Sequence, residues 1–183
     1  MRLVLASGSP QRRAILERLG VSFAVHVPEV AEAAEGDPAE ITVANARLKA
    51  RAAPPPAPGE AVLACDTVVA LDGAIYGKPS DEAAARNTLA LLGGATHEVV
   101  SGLVLLLEGE ERTALARTEV TFRELDERMV NWYLATGEWR GRAGGYAIQG
   151  AGAALVRELR GDYENVVGLP VAALLDLCPE LLG

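Results

Sequence analysis

Apolar residues along the chain recur with two periods, which predict strands and helices in one mixed pattern. Short apolar or alternating segments predict strands at residues 2–6, 23–27, 61–71, 98–107, 113–122 and 153–159. Helical spacing predicts helices at residues 10–20, 39–52, 80–92, 126–136 and 169–177. Because strands and helices do not alternate strictly, we expect a mixed rather than a purely parallel sheet.

Turn and capping residues set the expected boundaries. Ser9 and Ser80 are suited to N-caps, Gly20 to the end of a helix, and Asp72-Gly73 to a hairpin turn. The glycine-rich stretch at 141–152 is expected to be a loop with unusual backbone angles. Four side chains of the second helix are expected to face inward: Ile41, Val43, Ala44 and Leu48.

Length and charge narrow the class of protein. A chain of 183 residues fits a single domain over 1–183. The net charge of -8 argues against a nucleic-acid binder, because such proteins normally present a basic face. No run approaches the ~20 apolar residues of a membrane span. The absence of a secretory signal and the presence of only two cysteines, outside any CxxC pair, predict a cytoplasmic protein.

One acidic residue stands in the most apolar predicted strand. Asp66 lies within VLACDTVVAL, where a carboxylate is costly unless it is paired or bound to a metal. A buried carboxylate satisfied by backbone donors is the alternative. We favour a functional interpretation, because so apolar a strand would otherwise avoid an acid.

Several other segments could bind phosphate or metal, and each also has an ordinary structural explanation. Ser7 to Arg13 leads from a strand into a helix, where free N–H groups and arginines attract anions. Lys78, between Gly and Pro, could point at a phosphate, and Lys49 is the only other lysine. In the glycine-rich loop, Gln149 could read a base edge. Taken singly, the segment from Ser7 to Arg13 fits a capped helix better and the two lysines fit solvated positions better, whereas the glycine-rich loop fits a structural and a binding role equally well.

An acidic loop precedes the second helix. It holds Glu29, Glu32 and Glu35, and one of these with Asp66 could bind a hard cation such as Mg²⁺.

Together these segments resemble the Maf family of nucleotide pyrophosphatases. The resemblance runs from about Leu3 to Leu177 and rests on segments in the family's order: LVLASGSPQRR, PEVAEA, RLKA, ACDT, GKP, SG, the stretch from TGE to GGYAIQG, and NVVGLP. Each motif alone is weak, but their joint order and spacing make chance agreement very improbable.

The resemblance implies a fold and a reaction. The fold is a strongly twisted mixed α/β sheet of the Maf/ITPase-like type, flanked by helices in two lobes around a central cleft. The reaction is hydrolysis of a nucleoside triphosphate between its α- and β-phosphates. Asp66 would be the general base and would share a divalent cation, Mg²⁺ or Mn²⁺, with Glu32. The triphosphate would be held by Ser7, Arg12, Lys49 and Lys78.

Three positions bear on base preference within the family. Thr67 and Gln149 match the branch that prefers dTTP and UTP, whereas Gln11 replaces that branch's arginine. The 7-methyl-GTP branch commonly has tryptophan there, so Gln11 matches neither. We therefore expect a cytoplasmic dTTP/UTP pyrophosphatase that also accepts modified pyrimidine triphosphates and forms a homodimer. The alternatives are a 7-methyl-GTP or other purine-directed pyrophosphatase, and a nucleotide-binding regulator of cell division.

Overall fold

The computed structural model describes residues 1–182, in which a seven-stranded mixed sheet is surrounded by six α-helices. The strands are β1 (Arg2–Ala6), β2 (Phe23–His26), β3 (Glu60–Leu71), β4 (Ala74–Tyr76), β5 (Thr96–Leu107), β6 (Glu110–Phe122) and β7 (Val156–Arg160). The helices are α1 (Pro10–Arg18), α2 (Pro38–Ala52), α3 (Glu82–Leu92), α4 (Glu127–Ala135), α5 (Tyr163–Val167) and α6 (Val171–Leu177).

The sheet order is β2-β1-β3-β5-β6-β7, with β4 pairing separately with β3. β1 runs parallel to β2 and β3, and the remaining pairs are antiparallel. The expected mixed α/β sheet is therefore confirmed.

Strand β3 has one continuous neighbour and one interrupted edge. On one side it pairs with β5 from Ala61 to Ala70. On the other side, β1 pairs with residues 60–63 and β4 with residues 69–71. Residues 64–68 therefore have a strand on one side only, and their free edge faces a cleft.

Local sequence explains the elements that flank this edge. Ser9 caps α1 by accepting a hydrogen bond from the Arg12 amide, and Pro10 supplies a preset φ in the first turn. Asp37 caps α2 by accepting from the amides of Ala39 and Glu40. Asp72 and Gly73 take φ values of 51° and 79°, which suit the tight hairpin that returns β4 along β3.

The buried core forms four apolar clusters, and the two largest lie in different parts of the molecule. One cluster joins α3, α4 and the glycine-rich loop to the far ends of β5 and β6, with Tyr133 and Phe122 among its largest members. A second cluster lies around β1, α1 and α6, and it includes Leu5, Leu16 and Leu103. The free edge of β3 lies between these two clusters.

Four sequence expectations need correction. The last strand begins at Val156 rather than at 153, because residues 151–155 form a 3₁₀ turn. Asp81, not Ser80, caps α3. The short helix α5 has no counterpart among the helices expected from the sequence. The inward face of α2 was also misplaced, since Ala44 and Leu48 are exposed, Leu48 by 47%.

The actual inward face of α2 is partly polar. Its buried residues include Ile41, Asn45 and Lys49, which follow one another at four-residue intervals. Apolar periodicity could not find this face, because part of it looks into the cleft rather than into the core.

Candidate active site

The cleft at the free edge of β3 has a volume of about 850 Å³ and gathers the candidate residues from distant parts of the chain. Its lining includes every candidate site residue: Ser7, Gln11, Arg12, Glu32, Lys49, Asp66, Thr67, Lys78 and Gln149. Glu35 also lines it. The cleft is thus a single site built from both lobes.

Asp66 stands in the middle of the unpaired segment of β3, and its side chain meets α2. Its carboxylate accepts a hydrogen bond from Lys49 Nζ at Oδ1 (2.7 Å) and one from Asn45 Nδ2 at Oδ2 (3.0 Å). Only 6% of the residue is exposed. Both oxygens are therefore fixed by groups one helical turn apart on α2.

The close approach of α2 depends on Gly102. This glycine is the cross-strand partner of Asp66 on β5. A Cβ at position 102 would lie 2.5 Å from the carbonyl carbon of Thr42 and 2.5 Å from the nitrogen of Val43. Because glycine carries no Cβ, the backbone of α2 can lie directly on the sheet, and its next turns reach Asp66.

The surroundings of Asp66 keep it ionised. Burial alone would raise the pKa of its carboxyl group. The charge of Lys49, the hydrogen bonds from Lys49 and Asn45, and the charge of Arg12 outweigh burial and hold the pKa below its usual value. Asp66 is therefore a carboxylate at neutral pH despite its position in the sheet.

Lys49 joins two carboxylates. Its ammonium lies 2.7 Å from Asp66 Oδ1 and 2.7 Å from Glu32 Oε2. The carboxylates of Glu32 and Asp66 thus both contact one ammonium group. Two carboxylates this close together could also bind one divalent cation. Within residues 1–182 no three or more histidine, cysteine, aspartate or glutamate side chains are placed so that they could hold a metal ion together. A pair of carboxylates fits Mg²⁺ or Mn²⁺ best, since Mg²⁺ commonly takes one or two carboxylates and completes its shell with substrate phosphates and water.

The opposite face of β3 carries a different arrangement. Arg12 is only 8% exposed, and all its hydrogen-bond partners are neutral. Its Nε donates to the carbonyl of Gly168 (2.8 Å), Nη1 to Ser7 Oγ (2.9 Å) and Nη2 to Thr67 Oγ1 (3.3 Å). No ion pair within residues 1–182 includes Arg12. The guanidinium is thus held rigidly, with its charge uncompensated by direct contact.

The other candidate residues lie at the rim. Lys78, which follows β4, and Gln149, in the glycine-rich loop, are exposed and line the cleft. Gln11 is half-buried, and its Oε1 accepts a hydrogen bond from Ser9 Oγ (3.2 Å). These side chains can meet a ligand without losing a buried partner.

The glycine-rich loop forms the wall beneath Gln149. Gly144 has φ 67°, and a Cβ there would lie 2.8 Å from Val69 Cγ2, so the loop backbone packs directly on β3. Tyr146 is anchored by His97, whose Nε2 lies 2.9 Å from the phenolic oxygen. Burial lowers the pKa of His97 to about 4, so the imidazole is neutral in this contact at pH 7.

A family model described as "Maf-like protein" matches residues 2–181. The chain belongs to the Maf family.

Relatives of known designation agree with this assignment. A protein of Deinococcus radiodurans named dTTP/UTP pyrophosphatase is 45% identical, with 96% of this chain and 91% of the relative covered. Proteins with the same name from Pyrococcus furiosus and Bacillus cytotoxicus are 43% and 46% identical. Those two matches cover 96% and 95% of this chain and 93% and 92% of the relatives.

The Maf motifs mark the elements that build the cleft. The LVLASGSPQRR segment forms most of β1 and the start of α1, the ACDT segment is the part of β3 that has a neighbouring strand on one side only, and NVVGLP contains Gly168, whose carbonyl accepts from Arg12. None of the helices within residues 1–182 has the length and apolar character that a membrane crossing requires.

Three groups in the cleft region were not anticipated from the sequence. Asn45 contacts Asp66, Ser101 Oγ lies 2.8 Å from Thr67 Oγ1, and the Gly168 carbonyl accepts from Arg12. Asn45 could have been found, because it precedes Lys49 by four residues and so shares its helical face. The Gly168 carbonyl has no side-chain signal and emerges only from the fold.

Proposed function

We propose that this chain hydrolyses dTTP and UTP, and modified pyrimidine triphosphates, to the nucleoside monophosphate and pyrophosphate. The observation that carries the proposal is Asp66, a buried carboxylate kept ionised at the centre of a cleft whose other walls carry cations. The names of the Maf relatives support the choice of substrate.

Asp66 is the proposed proton acceptor. In the reaction, water adds across the P–O–P bridge between the α- and β-phosphates, and that bridge breaks. A positioned carboxylate takes the proton of the attacking water as the new P–O bond forms. Asp66 suits this role because its oxygens are held from one side by α2 while the free edge of β3 leaves the cleft side open.

The triphosphate is proposed to lie along the cations of the cleft. Arg12 offers a preorganised guanidinium, Ser7 a hydroxyl beside it, and Lys78 a mobile charge from the opposite rim. Lys49 lies deeper, between the carboxylates, and would contact phosphate after leaving one of them. Phosphoryl transfer depends mainly on such positioning and charge stabilisation.

A divalent cation is proposed to bind through Glu32 and Asp66. When bound, it would offset the negative charge of the phosphates and of the departing pyrophosphate. Glu32 is preferred to Glu29, because Glu32 lines the cleft and contacts Lys49 whereas Glu29 is not part of the lining.

Base preference is proposed to depend on Gln11, Thr67 and Gln149. Gln149, exposed at the rim of the glycine-rich loop, offers both a donor and an acceptor to a base edge. Thr67 acts less directly, because its hydroxyl already contacts Arg12 and Ser101. Gln11 stands beside Ser9 at the start of α1, so its effect would be exerted at the phosphate end of the cleft.

The test is a substrate panel. Pyrophosphate release is measured for dTTP, UTP, the common purine triphosphates and 7-methyl-GTP, with Mg²⁺ or Mn²⁺ and again with excess EDTA. We expect release from dTTP and UTP above all others, abolished by EDTA. Release mainly from 7-methyl-GTP or purines would overturn the assigned base preference, and no release from any triphosphate would overturn the enzymatic function.

The location and assembly of the protein remain predictions. A cytoplasmic enzyme is the expectation, and sedimentation at several protein concentrations would test the expected homodimer.

A further inference from the structure

Asn45 is a buried amide that touches two parts of the cleft at once. It lies on α2, is only 1% exposed, and faces the same way as Lys49 one turn later. Its side chain makes three hydrogen bonds, which use the carbonyl oxygen and the amino group. Burial of a polar group to this extent costs free energy unless the group is hydrogen-bonded, and the three hydrogen bonds of Asn45 meet this requirement.

Two of these bonds hold the acidic loop. Asn45 Oδ1 accepts from the amide of Ala33 (2.8 Å), and Nδ2 donates to the carbonyl of the same residue (2.9 Å). Ala33 directly follows Glu32. No backbone–backbone hydrogen bond attaches residues 28–36 to the rest of the described chain, 1–182. The Asn45 amide therefore holds the backbone of the loop beside Glu32, while Lys49 contacts the Glu32 carboxylate itself.

The third bond reaches the carboxylate on β3. The same amino group donates to Asp66 Oδ2 (3.0 Å), on the oxygen that Lys49 does not occupy. Asn45 thereby connects the loop of Glu32 to the side chain of Asp66 through a single rigid amide.

We propose that Asn45 is a positioning residue that sets the spacing and orientation of Glu32 and Asp66 as a pair. The inference rests on the proposed function, in which these two carboxylates hold a divalent cation. Groups that orient metal-binding side chains through hydrogen bonds affect metal affinity by about 10- to 100-fold when they are removed. Ligand spacing, rather than nucleotide contact, is what Asn45 would control.

The test separates metal binding from nucleotide binding. Free Mn²⁺ is measured by electron paramagnetic resonance while Mn²⁺ is titrated into the protein without nucleotide, because a triphosphate would itself bind the metal. Binding of the α,β-methylene analogue of dUTP, which cannot be cleaved at the α–β bridge, is measured separately by calorimetry without metal. The variants are Asn45→Ala and Asn45→Leu, and the latter keeps the volume of the side chain without its hydrogen bonds if the first folds poorly.

Thr42→Val is the matched control. Thr42 is equally buried on α2, but its hydroxyl bonds only to carbonyls of its own helix, those of Pro38 and Ala39. Thermal unfolding of each variant reports any general loss of structure.

We expect both Asn45 variants to weaken Mn²⁺ binding by about 10- to 100-fold. Metal-free analogue binding should stay within a factor of about two to three, and the Thr42→Val protein should match the wild type in both measurements. Mn²⁺ affinity within twofold of the wild type in a folded Asn45 variant would overturn the proposal. So would an equal loss of metal-free nucleotide binding, or a wild-type protein that binds no Mn²⁺.

The outcome is distinguishable from failure of the proposed function. A wild type that binds Mn²⁺ through Asn45-dependent carboxylates but releases no pyrophosphate would support the inference on Asn45 and reject the enzymatic reaction.

Discussion

The two faces of β3 at the cleft differ in whether their nearly buried cation is paired with an acid. On the face of Asp66, the ammonium of Lys49 is neutralised by two carboxylates, each 2.7 Å away. On the face of Thr67, the guanidinium of Arg12 has a carbonyl and two hydroxyls as partners and no directly paired acid within residues 1–182. Both cations are nearly buried. Lys49 lies on the inward face of α2, and Arg12 is enclosed by the groups that accept its three hydrogen bonds.

This difference indicates an order of events when an anion enters. An uncompensated, preorganised guanidinium attracts phosphate directly, and two of the five N–H groups of Arg12 are not used in its hydrogen bonds to Gly168, Ser7 and Thr67. Lys49 must first give up at least one carboxylate. We therefore expect the face of Arg12 to determine nucleotide affinity, and the face of Asp66 to determine metal binding and the chemical step.

The largest effect is expected from a substitution on the face of β3 that carries Asp66. Asp66→Asn keeps the size of the side chain but removes the proposed proton acceptor, so kcat for pyrophosphate release should fall by about 10²- to 10⁴-fold. KM for dTTP should change far less, because Arg12 is untouched. The measurement is steady-state kinetics with saturating Mg²⁺.

Asp72→Asn is the control for this variant. It makes the same chemical change at the exposed hairpin that follows β3, where Asn tolerates the φ of 51°. Loss of activity in the control, or retained activity in Asp66→Asn, would contradict the role given to Asp66.

The second largest effect is expected from a substitution on the face of β3 that carries Thr67, where Arg12 is bound. In Arg12→Lys the charge remains, but a single ammonium cannot reproduce the three directed contacts with Gly168, Ser7 and Thr67. Hydrogen bonds to charged groups contribute about 1.5–3 kcal/mol, so KM should rise roughly 10- to 100-fold with a smaller change in kcat.

Arg18→Lys on the same helix provides the comparison. Arg18 is exposed and pairs with Glu164 at the surface, where ion pairs contribute about 0–1 kcal/mol. If the KM of Arg12→Lys stayed within twofold of the wild type, the assignment of affinity to this face would be wrong.

The sequence predicted the two faces unequally well. Asp66 was identifiable because an acid in VLACDTVVAL is costly, and the phosphate-binding turn because capping residues and arginines coincide at the start of α1. The balance of charge around Lys49 was not predictable. It requires Glu32 from an irregular loop and Asp66 from a strand to meet at α2, and the expected inward face of α2 was wrong. Apolar periodicity locates a helix but not which of its polar residues a cleft will bury.

The mixed α/β fold was predicted correctly, but its shortest elements were missed for a related reason. Long strands such as β3 and β5 carry enough apolar residues to be recognised, whereas the five-residue α5 and the 3₁₀ turn at 151–155 do not. These short segments depend on tertiary contacts, such as the donation from Asn165 Nδ2 to the carbonyl of Val99 (3.0 Å). The gap between β1 and β4 along β3 is likewise a property of pairing, which no single segment encodes.

A third substitution would move α2 away from Asp66 without changing any charged residue. Gly102→Ala would place a methyl group against the backbone of α2, and overpacking of this kind costs typically about 1–3 kcal/mol. The unfolding midpoint should fall by several degrees, and kcat should fall because Asn45 and Lys49 move away from Asp66. Metal-free analogue binding, assigned to Arg12, should change little.

Gly77→Ala serves as the control for stability. Nothing lies within 4 Å of a Cβ at Gly77, so its unfolding midpoint should equal that of the wild type. If Gly102→Ala were as stable as this control, α2 would not depend on the missing side chain at position 102.

The smallest expected effect is a gain in metal affinity, and it tests whether Lys49 competes with a metal for the two carboxylates. Lys49→Met removes the ammonium that now compensates Glu32 and Asp66 and keeps a side chain of similar length. The two carboxylates then repel each other without a counter-charge, so a divalent cation should bind more tightly in the absence of nucleotide. We expect Mn²⁺ affinity to rise roughly tenfold, which corresponds to about 1.4 kcal/mol.

The same variant should weaken binding of the nucleotide analogue, since Lys49 can no longer reach a phosphate. Opposite shifts for metal and nucleotide would show that Lys49 alternates between the carboxylates and the substrate. Arg47→Met, which removes an exposed cation of α2 that pairs with Glu111, should alter neither affinity. Weaker Mn²⁺ binding in Lys49→Met would mean that the lysine helps to assemble the carboxylate pair rather than to compete for it, and the two faces of β3 would then differ less than their contacts indicate.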